Sequence, residues 1–340
     1  MKRKRGTVIM VKKKLITAAV ATAAALTLAL AGCSGTGAKG GGGSASAAPD
    51  NKNIKICVYT HGDGGTFWAV AQKGAEDAAK TLGVTLDYQG STNDAAKQAS
   101  TIEAGVKGGC SGIAASAPDP GAIQSAMKSA SDAKIPTVTI NSGSSVYKEL
   151  GAFTHVGQDE IVAGRQAGEK FNELGVKKIL CPIQEAANSG LTDRCKGAAE
   201  TFKGKVQEFN ADGALADLNG AQAKILAALQ ADSSIDAVFA LNADVATGAV
   251  LPAVKTVGRD IKVGTVDLSA DALKAIDAGT LQFGIDQQQY AQGYMAVQLL
   301  YFAVKDAIEI GGGLPVYTGP AFVTKDNVKA VQESVKEGLR

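Results

Sequence analysis

From residue 53 onward, short runs of β-branched and apolar residues alternate with longer stretches whose apolar positions recur at helical spacing. IKICVYT (54–60), VTLDY (84–88), GIAAS (112–116), PTVTI (136–140) and AFTHV (152–156) read as strands. So do KKILCPI (177–183), VQEF (206–209), DAVFAL (236–241), IKVGTV (261–266), LQFGI (281–285) and PAFVT (320–324). Helices are predicted over roughly 67–82, 94–107, 121–133 and 160–174, after each later strand, and longest over 288–308. PAFVT is followed only by a short tail. Strand–helix alternation at this spacing means parallel sheets with right-handed crossovers. Many of the strands are unbroken apolar runs, as in sheets covered on both faces. Ten or so units are too many for one six-stranded sheet. A closed eight-unit barrel and a pair of doubly wound α/β domains both accommodate them.

The first 52 residues follow another pattern. Residues 1–32 carry seven Lys/Arg and no acid, and an apolar run over 15–33 ends in small residues. Basic region, apolar region and small-residue end make a secretory signal; as a spanning helix the run is barely long enough. Leu30-Ala31-Gly32-Cys33 resembles the lipobox of bacterial lipoproteins. That resemblance implies a signal over 1–32 and lipid on the Cys33 thiol. Residues 34–52 are Gly/Ser/Ala-rich without apolar period, so 33–52 is read as lipidated Cys plus tether. Such a coil spans on the order of 25 Å.

Charge changes the picture once that segment is set aside. The chain of 340 residues has 35 Lys/Arg against 33 Asp/Glu. Without the seven N-terminal bases, 28 face 33 acids, a net of about −5. A body of that sign is not expected to bind nucleic acid, which needs a basic patch. Five cysteines suit an exported protein. Cys181 and Cys195 close a strand and open a helix, and they are expected to pair. Cys57 and Cys110 lie in apolar stretches and are read as core residues. No Cys/His cluster has metal-ligand spacing, so neither metal nor cofactor is expected.

In open parallel sheets the ligand sits beyond the C-terminal ends of the strands. Those positions hold HGDGGTFW (61–68), Gln89, Asp119, Asn141-Ser142-Gly143, residues 184–190, Asn242-Ala243-Asp244, Asp267-Leu268-Ser269 and Asp286–Gln289. Lysine is absent from all of them, and Arg194 is the nearby arginine. Phosphate would need a glycine cradle with Lys or Arg, but Gly62-x-Gly64 continues to Phe67 where the dinucleotide fingerprint needs glycine. No GxSxG elbow occurs, and neither histidine has a carboxylate partner by spacing, so no enzyme is indicated. Planar Asp, Asn, Gln and Arg groups suit a polyol, whose hydroxyls each donate and accept. Phe67 and Trp68, the only tryptophan, offer an apolar plane; core packing of Phe67 with Val70, Gly74 and Ala78 is the less favoured alternative.

TFWAVAQKGAEDAAKTLGV, IPTVTINSG, THVGQDE, DRCKGAAETFKG, the Asn242 loop, TVDLS and IDQQQYAQGY, in this order, closely resemble the type I sugar-binding proteins of bacterial ABC importers. The resemblance covers about residues 53–330. It implies two α/β lobes joined by three crossings, with sugar between them. On that pattern 53–157 plus 287–311 form one lobe and 158–286 plus 312–340 the other, with crossings near Gly157-Gln158, Gln287 and Gly311–Gly313. Phe67 and Trp68 match the family's aromatic pair that sandwiches the sugar. Asn141, Arg194, Asn242, Asp267 and Gln287 match its hydrogen-bonding positions, although each also fits a cap or surface role. Asp63, Gln89, Asp119 and Asn188 are further candidates. Asn141-Ser142 stands where ribose binders often carry Asp-Arg, which puts ribose in doubt.

The expected function is therefore a monomeric solute-binding lipoprotein, held to the outer face of the membrane by Cys33, that delivers a monosaccharide or polyol to an ABC permease. A sensor feeding a membrane receptor, and a nucleoside or autoinducer ligand, remain open alternatives.

Overall fold

Each of the eleven runs read as strands forms one, and helices lie between most of them; the runs at 136–140 and 152–156 are joined by turns alone. The computed structural model describes residues 50–340; the signal segment, Cys33 and nearly all of the tether lie outside the described residues. The first lobe runs β1 (Asn51–Thr60), α1 (Gly65–Leu82), β2 (Val84–Gly90), α2 (Ala95–Lys107), β3 (Gly112–Ser116), α3 (Pro120–Asp132), β4 (Thr137–Ile140) and β5 (Thr154–Gly157). The second runs α4 (Glu160–Glu173), β6 (Lys178–Ile183), α5 (Ser189–Thr201), β7 (Lys205–Asn210), α6 (Leu218–Ala231) and β8 (Ala237–Ala240). It continues with α7 (Ala243–Val245), which passes through a π turn (Ala246–Val250) into α8 (Leu251–Val257), then β9 (Lys262–Val266), α9 (Ala270–Ala278) and β10 (Phe283–Asp286). The chain then returns to the first lobe for α10 (Gln289–Asp306) and β11 (Val316–Tyr317), and ends in the second with β12 (Ala321–Thr324) and α11 (Val328–Lys336).

The two sheets share one strand plan. Their orders are β2-β1-β3-β4-β5-β11 and β7-β6-β8-β9-β10-β12. Every pairing is parallel except that of β12, which runs antiparallel to β10. This is the doubly wound 2-1-3-4-5 plan, in which strand order reverses beside the first strand and leaves a crevice there. A barrel is excluded, because the strands close no circle. The side chains alternate across each sheet as the pleat requires. In the first lobe Ile56, Val58 and Ala114 face α1 and α10, while Cys57, Tyr59 and Ile113 face α2 and α3. Helix starts are set by local chemistry. Asp94, Asp119 and Asp159 each accept the amide three residues on, and Pro120 pre-sets the first turn of α3.

Three expectations about the fold need correction. The third crossing does not fall at 311–313. β11 still pairs with β5, so the chain leaves the first sheet only after Tyr317 and enters the second at Ala321. Two residues are too short a strand for a periodicity to register. Likewise α11 replaces the expected plain tail, its apolar stripe of Val328, Val331 and Val335 closing the second lobe's core. The three crossings are tied together: Thr318 donates its amide to Gly157 O (2.8 Å) and its hydroxyl to Gln287 O (2.8 Å). Gln158, Gln287 and Thr318 are all buried at this joint.

The third correction concerns cysteine. Cys57 and Cys110 are not separate core residues; they are bonded to one another, as Cys181 is to Cys195. Cys57 sits in β1 and Cys110 just before the neighbouring β3, which brings their Cα atoms to 5.9 Å. No local pattern encodes that approach across 53 residues. Closing loops of 53 and 14 residues removes unfolded-chain entropy worth about 4 and 3 kcal/mol respectively. Replacing Cys57 and Cys110 together by alanine is therefore expected to cost the first lobe more than the Cys181/Cys195 replacement costs the second. Urea unfolding of the two double variants measures the order.

Candidate functional site

The C-terminal ends of both sheets face one another, and their loops enclose a small polar cavity of about 40 Å³. From the first lobe come His61 after β1, Phe67 and Trp68 in the first turn of α1, and Asn141 after β4. From the second come Gln184, Glu185 and Asn188 after β6, Arg194 on α5, Asn242 after β8, Asp267 after β9 and Gln287 after β10. Asn141 and Asp267 occupy equivalent places, each following the fourth strand of its sheet. Both have left-handed backbones, with φ of 58° and 72°. Asn and Asp tolerate that region, and the turn aims each side chain back over its strand end. A wider hollow of about 980 Å³ adjoins the cavity at Trp68 and Glu185. It is the larger space, but the buried polar groups converge on the smaller one, which is where specific chemistry can occur.

Arg194 forms the floor. Its Nε and Nη2 donate to the two Glu160 oxygens at 2.6 and 3.0 Å, and Nη1 donates to Leu241 O at 3.0 Å. Both side chains are almost fully buried. α4 and α5 can approach this closely because Gly164 and Gly197 lie between them: a Cβ at Gly164 would stand 2.2 Å from Arg194 O. Among the described residues the one buried guanidinium is thus neutralised by the Glu160 carboxylate.

Asp267 accepts Gln287 Nε2 at 2.6 Å and Asn242 Nδ2 at 3.1 Å. Burial pushes its carboxyl up to about 7; the Arg194 charge and the Gln287 bond oppose the rise, and Asp244 and Glu160 add to it. Glu185 goes the other way. Burial would raise it, but His61, the Asn188 amide and the Arg194 charge together hold it down at about 2. His61 Nε2 lies 3.6 Å from Glu185 Oε2 across the cleft, while Nδ1 is 2.7 Å from Ser116 Oγ. Two buried acceptors that line the cavity, Gln184 Oε1 and Gln287 Oε1, have no hydrogen-bond partner. An unpaired buried polar atom is costly, and a ligand donor would satisfy each.

Eight of the eleven sequence candidates meet at this cavity: Phe67, Trp68, Asn141, Asn188, Arg194, Asn242, Asp267 and Gln287. Three do not. Asp63 is exposed at the wider hollow, where it accepts Thr92 Oγ1. Gln89 bonds Asp87 on an exposed edge, and Asp119 caps α3. Strand-end position alone selected those residues; their side chains answer to local partners. Phe67 and Trp68 do not form two facing plates. Their rings stand edge to face, with centroids 4.9 Å apart and planes at 81°, and so make a corner. His61, Gln184 and Glu185 are the polar cavity residues that the sequence did not single out. The carboxylate partner missing for His61 by spacing is Glu185, supplied by the opposite lobe.

The lobes touch across the cleft. Besides His61 and Glu185, Ser142 Oγ lies 3.3 Å from Asn188 Oδ1, and Ser189 donates its amide to Pro118 O at 3.2 Å. The arrangement is a closed one: side chains of both lobes line the same cavity and bond one another beside it.

Two doubly wound lobes, three crossings and a polar cleft between strand ends agree with a sequence match. Residues 56–307 match the model of the periplasmic binding protein domain. The chain belongs to the periplasmic binding protein family. Its fold is that of the type I members. A solved family member, a carbohydrate transporter from Acidothermus cellulolyticus in complex with myo-inositol, is 40% identical with a TM-score of 0.82. The alignment covers 86% of this chain and 100% of that one. The xylose/arabinose-binding protein of Sulfolobus acidocaldarius is 26% identical over 300 residues, 83% of this chain and 74% of its own. The xylitol-binding protein of Mycolicibacterium smegmatis is 28% identical over 295 residues, 84% and 81% of the two chains. These relatives are binding proteins rather than enzymes, and the family is an exported one. Among the described residues no helix is long and apolar enough to cross a membrane.

The raised Asp267 predicts a pH-dependent trade between stability and binding. Its folded value lies above its unfolded one, so its contribution to stability is complete below about pH 4 and lost as pH rises to about 7. Asp267→Asn removes that loss, and a turned Gln287 amide can accept from the side-chain donor this substitution introduces. The variant is expected to gain on the native protein between pH 4 and 7, by at most about 4 kcal/mol, while binding ligand more weakly. Urea unfolding at several pH values, beside calorimetric titration, measures both.

Proposed function

We propose that this protein captures a neutral monosaccharide or cyclic polyol between its lobes and delivers it to an ABC import permease. The observation that carries the reading is the donor–acceptor balance of the cavity. Asn, Gln, Asp and Glu side chains surround it, two buried amide oxygens lack donors, and the one guanidinium is already paired with Glu160. Ring hydroxyls supply such donors, whereas a carboxylate or phosphate would find no free cation. Asn141, Asn188, Asn242, Asp267 and Gln287 would bond the hydroxyls, with Gln184 and Glu185 beside them. The aromatic corner of Phe67 and Trp68 would cover the C–H edge. The binding of myo-inositol by one relative, and the names of the xylose/arabinose and xylitol binders, support a small neutral polyol. Closure around the ligand would shift the population toward the form that presents both lobes to the permease. Lipid on Cys33 would hold the protein at the membrane, with residues 34–52 as tether.

Calorimetric titration of residues 50–340, refolded from denaturant to strip any carried ligand, tests the reading. The panel comprises myo-inositol, xylitol, D-xylose, L-arabinose, D-ribose, D-glucose, D-galactose, uridine, adenosine, galacturonate and glucose 6-phosphate. Tight binding of a neutral sugar or polyol is expected, with the two anions silent. Trp68→Ala and Asn242→Ala should each weaken it about tenfold or more. A response to a nucleoside alone, or to an anion, sinks the proposal. Cys33→Ser should move the protein from the membrane fraction to the soluble one.

A further inference from the structure

α1 begins without a cap of its own. Its N-cap is Gly64, which offers no side-chain acceptor, and its first turn contains no acid. Four unpaired amides and the positive end of the helix dipole therefore point toward the cleft. The missing acceptor comes from the other lobe. Asp244, in α7, accepts the Thr66 amide on Oδ2 and the Thr66 hydroxyl on Oδ1, both at 3.0 Å. A residue with a free side-chain carboxylate thus does across the cleft what Asp94 does for α2 within its own lobe. The approach requires glycine: Gly65 has a φ of 80°, and a Cβ there would lie 3.1 Å from Asp244 Oδ2.

We infer that Asp244 is a closure latch, a residue that stabilises the closed form by capping α1 in trans without touching the ligand. It lines the wider hollow beside the polar cavity and not the cavity itself. Closure is the only arrangement that completes the cap, so parting the lobes exposes the Thr66 amide to water and separates the carboxylate from the dipole. Two contacts connect the latch to the ligand site. Asn242 Oδ1 accepts the Asp244 amide at 2.8 Å while its Nδ2 holds Asp267, so one side chain fixes both. On the other lobe Thr66 directly precedes Phe67 and Trp68, so the capped turn also sets the aromatic corner. The inference deepens the proposed capture between lobes, and it rests on that reading for the ligand but not for the closure.

The test uses the full chain in nonionic detergent, with nitroxide labels at Lys97→Cys and Lys224→Cys, one on each lobe. Pulsed dipolar distances without ligand read the closed-to-open ratio directly. Loss of a cap corresponds to about a two- to thirtyfold change, so Asp244→Ala should lower the ratio by that factor and Asp244→Asn by less. Thermal unfolding run alongside identifies a variant that has lost its fold, in which case Thr66→Val, expected to lower the ratio less than Asp244→Ala, takes its place. Every sugar or polyol of the panel that binds should lose affinity to Asp244→Ala by one common factor, through faster dissociation. Identical distance distributions in native and variant protein, or losses that differ from ligand to ligand as a direct contact gives, would overturn the latch. If no panel member binds, the sugar reading fails, and the distance measurement still decides the latch.

Discussion

Parallel strands end together on one edge of their sheet, and the function of this molecule follows from that constraint. Each loop leaving a strand must start at that edge, so polar residues from distant segments are gathered without any long-range pairing code. The strand order reverses beside β1 and beside β6, which opens a crevice in each sheet. Setting two such edges face to face yields a cleft whose walls are strand-end side chains. The buried polar joint of Gln158, Gln287 and Thr318 holds the lobes together at one side and leaves the other free to part.

Burial then decides how those side chains behave. Arg194 and Glu160 neutralise each other beneath the cavity, so the floor is rigid and without net charge. Above it two carboxyls diverge: burial pushes Asp267 up to about 7 despite the Arg194 charge, whereas Glu185, beside His61, is held at about 2. A site with acceptors in excess and no uncommitted cation selects against anions before any fit of shape is considered. The same closeness that produces these shifts also leaves Gln184 and Gln287 with unpaired oxygens, a cost that a hydroxylated ligand would offset.

Closure is supported by more than the ligand. His61 with Glu185, Ser142 with Asn188, Ser189 with Pro118 and Thr66 with Asp244 all bridge the lobes. Each is a modest polar contact exposed to water when the lobes separate. Such contacts make a closed form that is reachable yet reversible, as delivery requires.

Sequence periodicity by itself determined most of the strands and helices, because those depend on local pattern, and the rule that ligands meet strand ends named most of the polar residues that line the cavity; the resemblance, not periodicity, favoured two doubly wound lobes over a closed barrel. Phe67, Trp68, Asn141, Arg194, Asn242, Asp267 and Gln287 were legible for that reason, and the resemblance to sugar-binding proteins ordered them. What lay beyond local pattern had to come from the tertiary structure. Cys57 meets Cys110 across 53 residues, and His61 meets Glu185 only because two lobes face each other. β11 is a strand through its pairing with β5 and moves the third crossing to 318–320. Gln89 and Asp119 sit at strand ends like the others but turn to Asp87 and to an α3 amide. Position along a strand says which edge a side chain reaches; only packing says which partner it finds there.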